Sequence, residues 1–333
     1  MILVGGGQET VPQHLRNHVV PTAWKQAALV DGFNRGQQLK LGADMSHFAV
    51  LVIGPNVKEQ LQPYHEFECT GEDDQYVQDV DITEECRSGG LDGYGLEDET
   101  VASESEVNLN DTHKYGFAVV DGEGNIIKAV KRTNPNKKWD WWVVGGRWSG
   151  FLKLKAGATG DRGRPGLMGS QANSGDGYAD VALKGDVDFD GMRDEAGREA
   201  AVRWDKANTA RDGKTWETWE HLRDVVHAGN IGAARDAYHV QEAKDAVAKA
   251  MGHPWDGVDE YLTPRDQYIQ QARDSATVLY AFVKDGQWIA KGTMGWFGMS
   301  DEDGTQEDWN KKVNEMLDAL PDDTLITVVD CHI

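Results

Sequence analysis

The chain has 333 residues, 39% hydrophobic and 27% charged, with twelve tryptophans; that length holds about two ordinary domains or one large one, and a core that needs no disulfide or metal staple. Such a composition excludes a fibrous, membrane-spanning or disordered chain. Thirty-four basic residues against 56 acidic ones leave a net charge of −22, which opposes direct binding to nucleic-acid phosphates or anionic membranes.

The charge is unevenly placed. Sixteen Asp and Glu fall between Glu66 and Asp111 against the single Arg87, so that stretch carries −15 and the remainder −7. Three cysteines, Cys69, Cys86 and Cys331, form no disulfide framework and no CxxC zinc pair. With no basic start leading into an apolar core region, and no apolar run near the roughly 18 residues of a membrane helix, the sequence predicts a cytoplasmic protein with reduced thiols.

Residues 1–44 open on Gly5-Gly6-Gly7 and hold one helical pattern, Ala23–Asn34. They read as a mobile N-terminal extension. At Met45 the texture changes, and Met45–Gly54 reads as an initiation site followed directly by a strand apolar on both faces. The first β-rich half spans 45–156 and contains the acidic insertion, 66–111, whose only apolar patch is Tyr76–Ile82. That insertion is expected to be a solvated, partly disordered loop, or else an acidic surface that imitates nucleic acid.

Tyr115–Val120, the turn Asp121-Gly122 and Asn125–Val130 make a hairpin, and Leu279–Lys284, Asp285-Gly286 and Gln287–Lys291 repeat its design. Each is followed by a Gly/Trp turn, Gly145-Gly146-Arg147-Trp148 and Met294-Gly295-Trp296. The two units are expected to share a sheet. Between them lie a Gly-rich loop (157–178) and a helical region (179–275) with helices near Phe189–Thr209, Thr215–His227, Ile231–Met251 and Pro264–Arg273. The second β-rich half, 276–333, ends in an amphipathic helix, Gln306–Leu320, and a doubly apolar strand, Leu325–His332. The fold class is therefore α+β. A mixed or antiparallel sheet carries two similar hairpin units and a helical insertion, with the first and last strands adjacent and central and the helices on one face.

No Walker A loop, G-x-G-x-x-G turn, G-x-S-x-G elbow or H-E-x-x-H helix is present in the sequence. Two constellations remain. In Asn134–Gly150, Trp139, Trp141, Trp142 and Trp148 surround Arg147, with Lys138 alongside. Exposed, they would stack a ring while Arg147 meets an anion; buried, they would fill a core. Lys131, Arg132, Lys137, Lys138 and Arg147 make this a small positive patch, fit for a phosphate or for the protein's own acidic loop. The second is His47, Asp330 and His332. If the terminal strands pair antiparallel these three converge, as ligands for a divalent metal with His65 and Glu66 nearby, or as hydrogen-bonded strand ends. No other cofactor is expected.

The segments Met45–Gly54, Tyr76–Glu85, Asn134–Gly150 and Leu325–Ile333 resemble a family of hypothetical proteins from tailed bacteriophages. The resemblance implies a phage gene product made in the host bacterial cytoplasm, and brings no activity, cofactor or catalytic residue with it. In that setting the leading expectation is an accessory protein binding a host or defence-system component, or another phage protein, through the acidic insertion, the Trp/Arg turn or both. The alternatives are an enzyme acting on a nucleotide or phosphorylated ligand, with Arg147 as anion clamp and His47, Asp330 and His332 as acid/base or metal residues, and a minor virion or assembly component.

Overall fold

Seven consecutive residues, His47–Ile53, form strand β1, and all but His47 are buried, as a run apolar on both faces requires. The computed structural model describes residues 47–66, 74–110, 112–165, 175–252, 257–294, 300–302 and 304–333. The 1–44 extension, Cys69 and the Gly295-Trp296 portion of the second turn lie outside them.

After β1 come the short helix α1 (Val57–Leu61), β2 (Gln78–Asp81), α2 (Thr83–Gly89), β3 (Thr100–Val101), β4 (Gly116–Val120) and β5 (Ile126–Thr133). Next are β6 (Trp141–Gly146), β7 (Leu152–Lys153), β8 (Arg164–Pro165), β9 (Tyr178–Ala179) and β10 (Val181–Leu183). The helical stretch holds α3 (Phe189–Arg211), α4 (Ile231–His239), α5 (Glu242–Met251) and α6 (Arg265–Ser275). The chain ends with β11 (Ala281–Lys284), β12 (Gln287–Ala290), β13 (Gly292–Met294), β14 (Ser300–Glu302), α7 (Gln306–Asp318) and β15 (Leu325–His332).

The principal sheet runs β12-β11-β1-β15-β6-β8, with β10 also on β15. It is mixed: β1 pairs antiparallel with β15 along its whole length, His47 opposite His332 and Ile53 opposite Ile326, whereas β11 pairs parallel to β1. The fold is α+β. On one face Leu51, Ile53, Ile326 and Val328 pack under Trp309, Val313 and Leu317 of α7 and Phe189 and Met192 of α3. The i, i+4 spacing of the three α7 residues is what gives that helix a single apolar stripe. The other face, carrying Val50, Val52 and Val329, is closed by Leu61 of α1 and by Trp139, Trp142 and Trp288.

Four expectations are corrected. The two hairpins do not share a sheet: β11 and β12 belong to the principal one, but β4 and β5 sit in a separate four-stranded sheet, β2-β5-β4-β3. Secondly, the acidic segment from Asp74 to Asn110 supplies β2, α2 and β3 to that sheet and is ordered rather than a loose loop. Ile82, Cys86 and Leu96 bury against Ala118 and Ala129, and Arg132–Asp79 and Lys128–Glu104 ion pairs tie its carboxylates to β5. Thirdly, the helix expected over Ile231–Met251 is two helices. Gln241 breaks it by exchanging both side-chain hydrogen bonds with the backbone of Glu217, which holds its own backbone extended. The Thr215–His227 helix shrinks to one turn at Trp219–His221 and a wider π turn, Leu222–Val226.

Helix α7 starts from a reciprocal capping box between Thr305 and Asp308, in which the Thr305 hydroxyl and backbone N–H hold the Asp308 carboxyl below its usual value. A depressed carboxyl stabilises the fold above its unfolded value, about pH 4, and that contribution drains away as pH falls through the folded-state value. Thr305→Ala is therefore expected to lower stability at neutral pH and to cost less as the pH approaches about 3, measured by urea unfolding across the pH series. An equal cost at every pH would remove Asp308 ionisation from the account.

Candidate functional site

The antiparallel register of β1 and β15 places His47 directly opposite His332, and β6 on the other side of β15 places Trp141 opposite His332. Because side chains alternate along a strand, His47, Asp330, His332 and Trp141 all project from one face at one end of the sheet. His47 Nδ1 lies 2.8 Å from Asp330 Oδ1, and the two side chains are only 9% and 2% exposed. His332 Nδ1 lies 2.7 Å from Asp140 Oδ1, with the two side chains 27% and 25% exposed. The imidazole centroids are 4.8 Å apart and nearly perpendicular. The Trp141 indole stacks on His332 at 5.5 Å and meets His47 edge-on at 5.2 Å.

Two His–Asp dyads thus touch. In each, the carboxylate takes the Nδ1–H, which fixes the tautomer and directs basicity to Nε2. Among the described residues neither Nε2 has a hydrogen-bond partner. The second oxygen of Asp330 accepts the backbone N–H of Arg147 at 2.8 Å, so one carboxylate spaces an imidazole from the arginine turn.

That turn needs its glycines. Gly145 and Gly146 have φ of +81° and +52°, and a Cβ on either would run into the carboxylate of Asp180 or Asp330 respectively. Asp180 is completely buried and accepts hydrogen bonds from Ser149 Oγ, the Gly150 N–H and the Gly163 N–H. Buried carboxylates survive only with such donors.

No family model, curated protein or solved structure matches the chain.

The sequence constellations separate on the structure. Trp139 is buried, with its indole N–H on the Leu61 carbonyl; Trp142 packs beside it, and Trp148 packs against the opposite core. Trp139 is fully buried while Trp142 and Trp148 are partly so, and of the four Trp141 stacks in the histidine cluster. Lys138 is half-buried with no ion pair among the described residues. Lys137 pairs with Glu66 and Arg132 with Asp79, so part of the positive patch receives the protein's own acidic segment. His47, Asp330 and His332 converge, but on one another; among the described residues no group of three or more His, Cys, Asp or Glu is placed to hold a metal ion. His65 instead approaches the Asp140 carbonyl and lies against Trp139.

Sequence reasoning gave no role to Asp140 or Asp180. Asp140 had a visible signal, as the sole carboxylate inside the tryptophan segment. Asp180 had none, because its donors come from Gly163 and Ser149, distant along the chain.

Asp180→Ala leaves two buried donors and one half-buried donor without an acceptor and is expected to cost about 3 kcal/mol or more, whereas Asp140→Ala, at a half-buried dyad, is expected to cost about 1 kcal/mol. Urea unfolding of the two variants decides this, and equal losses would contradict the division between a buried frame and an open site.

Proposed function

We propose that the chain is an enzyme working by general acid–base catalysis at the His47/His332 pair, on a nucleotide or other phosphorylated ligand whose anion is met by Arg147. The observation that carries this reading is the contact between two imidazoles whose Nδ1 atoms are each held by a separate carboxylate. Displacement at phosphorus needs one group to take a proton from the nucleophile and another to give one to the leaving oxygen. A neutral ring accepts the first proton on Nε2 while its carboxylate stabilises the cation that forms. The protonated ring donates the second from its own Nε2, so the pair ends with roles exchanged and no net proton change. Asp140 and Asp330 act as positioning residues in this scheme. The backbone N–H of Arg147 is tied to the same carboxylate as His47, so the turn that carries the arginine is anchored beside that ring.

The rival reading is a phage accessory factor that binds a host or defence-system component. It draws on one observation, that the acidic segment stands on an ordered sheet with exposed carboxylates at Glu84, Glu85 and Glu104. No helix among the described residues is long and apolar enough to cross a membrane, which fits either reading.

The test is turnover of a panel of nucleotides and activated phosphodiesters by the purified chain and by His47→Gln and His332→Gln. Each substitution is expected to lower kcat by about 10²–10⁴-fold with an unchanged circular dichroism spectrum, and Asp140→Asn by a smaller factor with a displaced pH profile. No turnover on the panel, together with a host protein captured equally well by wild type and a His47→Gln/His332→Gln double variant, would favour the binding reading. Full activity in His332→Gln would end the acid–base scheme.

A further inference from the structure

The helical stretch contains a second feature, unconnected with the sheet-end cluster. Arg235, Tyr238 and His239 follow the i, i+3, i+4 spacing that puts three side chains on one face of α4. Together with Trp219 and Asp259 they line a cleft of about 450 Å³, a size that suits a small ligand. Trp219 and Tyr238 form an aromatic wall, their rings edge to face at 5.9 Å.

Behind that wall lies Lys244 of α5, only 1% exposed. Its ammonium has no carboxylate partner among the described residues. What it touches is the face of the Tyr238 ring, 4.9 Å to the centroid, and His239 Nδ1 at 3.4 Å, and both of those groups line the cleft. Burying an ammonium without a countercharge is strongly unfavourable, and a ring face and one imidazole nitrogen compensate it only in part. Arg235, exposed on the rim, likewise has no ion pair among the described residues.

The described acids of the cleft are engaged elsewhere. Asp259 is occupied by three donors, the Trp216 indole N–H, the Tyr238 hydroxyl and the Trp219 backbone N–H. Burial pushes the Tyr238 phenol well above its ordinary value, so it remains a donor to that carboxylate. Glu260, on the rim, has interactions of its own.

We propose that this cleft binds a small planar organic anion, its ring against Trp219 and Tyr238 and its carboxylate or phosphate on Arg235, with the buried charge of Lys244 acting on it from behind the Tyr238 ring. The ligand then brings a countercharge that no described residue gives Lys244. Benzoate is the probe, with benzylammonium as the opposite-sign control at matched ionic strength. Benzoate is expected to raise the melting temperature saturably and to give a binding isotherm by calorimetry, while benzylammonium gives neither. Arg235→Ala and Lys244→Met are each expected to weaken benzoate binding at least tenfold. Ligand-free Lys244→Met is expected to be no less stable than wild type, since an uncompensated buried charge has been removed. Equal responses to the two probes, no saturable response to benzoate, or wild-type affinity in either variant would overturn the proposal. Should Lys244→Met fail to fold, Arg235→Ala, altered only at an exposed side chain, decides alone. His47→Gln/His332→Gln is expected to bind benzoate as wild type does, which separates this cleft from the sheet-end site.

Discussion

A single buried carboxylate, Asp330, joins three distant parts of the chain. It stands on the last strand, takes the Nδ1–H of His47 from the first described strand, and takes the backbone N–H of Arg147 from the turn after β6. Water cannot substitute for these donors, because the side chain is almost wholly enclosed. The two contacts therefore set the sheet register and the turn geometry together. A one-residue slip of β15 would move Asp330 to the opposite face and strand both donors. This dependence also explains Gly146, whose left-handed backbone and missing Cβ let the turn close onto the carboxylate. The arginine turn is thus shaped from inside the protein.

Asp180 repeats the device one step further along the chain. It gathers Ser149, Gly150 and Gly163 about one carboxylate, and Gly145 leaves room for it as Gly146 does for Asp330. Together the two aspartates convert a glycine-rich stretch, intrinsically costly to order, into a fixed platform at the edge of the sheet. The histidine dyads inherit that rigidity. Their half-exposed members, Asp140 and His332, then face solvent from a frame that is itself closed to it.

How much of this was legible in the sequence follows from the range of each interaction. Strands β1 and β15 announced themselves because burial on both faces writes a continuous apolar run, and their antiparallel pairing was the condition on which His47, Asp330 and His332 could meet. Those residues do meet, although the sequence could not say whether they would bind an ion or one another. The acidic segment does not read as sheet because its strands are short and polar on their outer face. Val80, Ile82 and Cys86 show no period by themselves, and acquire a buried side only when β5 supplies Ala129 and the cations of Lys128 and Arg132. The break at Gln241 was equally invisible, since it depends on a backbone twenty-four residues away. Local pattern predicts what local geometry decides, and these features are decided by tertiary partners.

The acidity of the chain and the two anion-directed readings are compatible on electrostatic grounds. Net charge governs the field beyond a Debye length, roughly 8 Å at physiological ionic strength, whereas a bound anion senses the groups within a few ångströms. Much of the excess negative charge lies in the segment 66–111, where Lys128, Arg132 and Lys137 already neutralise part of it. Arg147 is fixed by its backbone on the far side of a carboxylate whose own charge is met by two donors. Lys244 is shielded from the outer field by burial. A local positive site on an acidic protein is thus compatible with binding a small anion, and the long-range repulsion acts chiefly against large polyanions, whose many phosphates extend across the acidic surface.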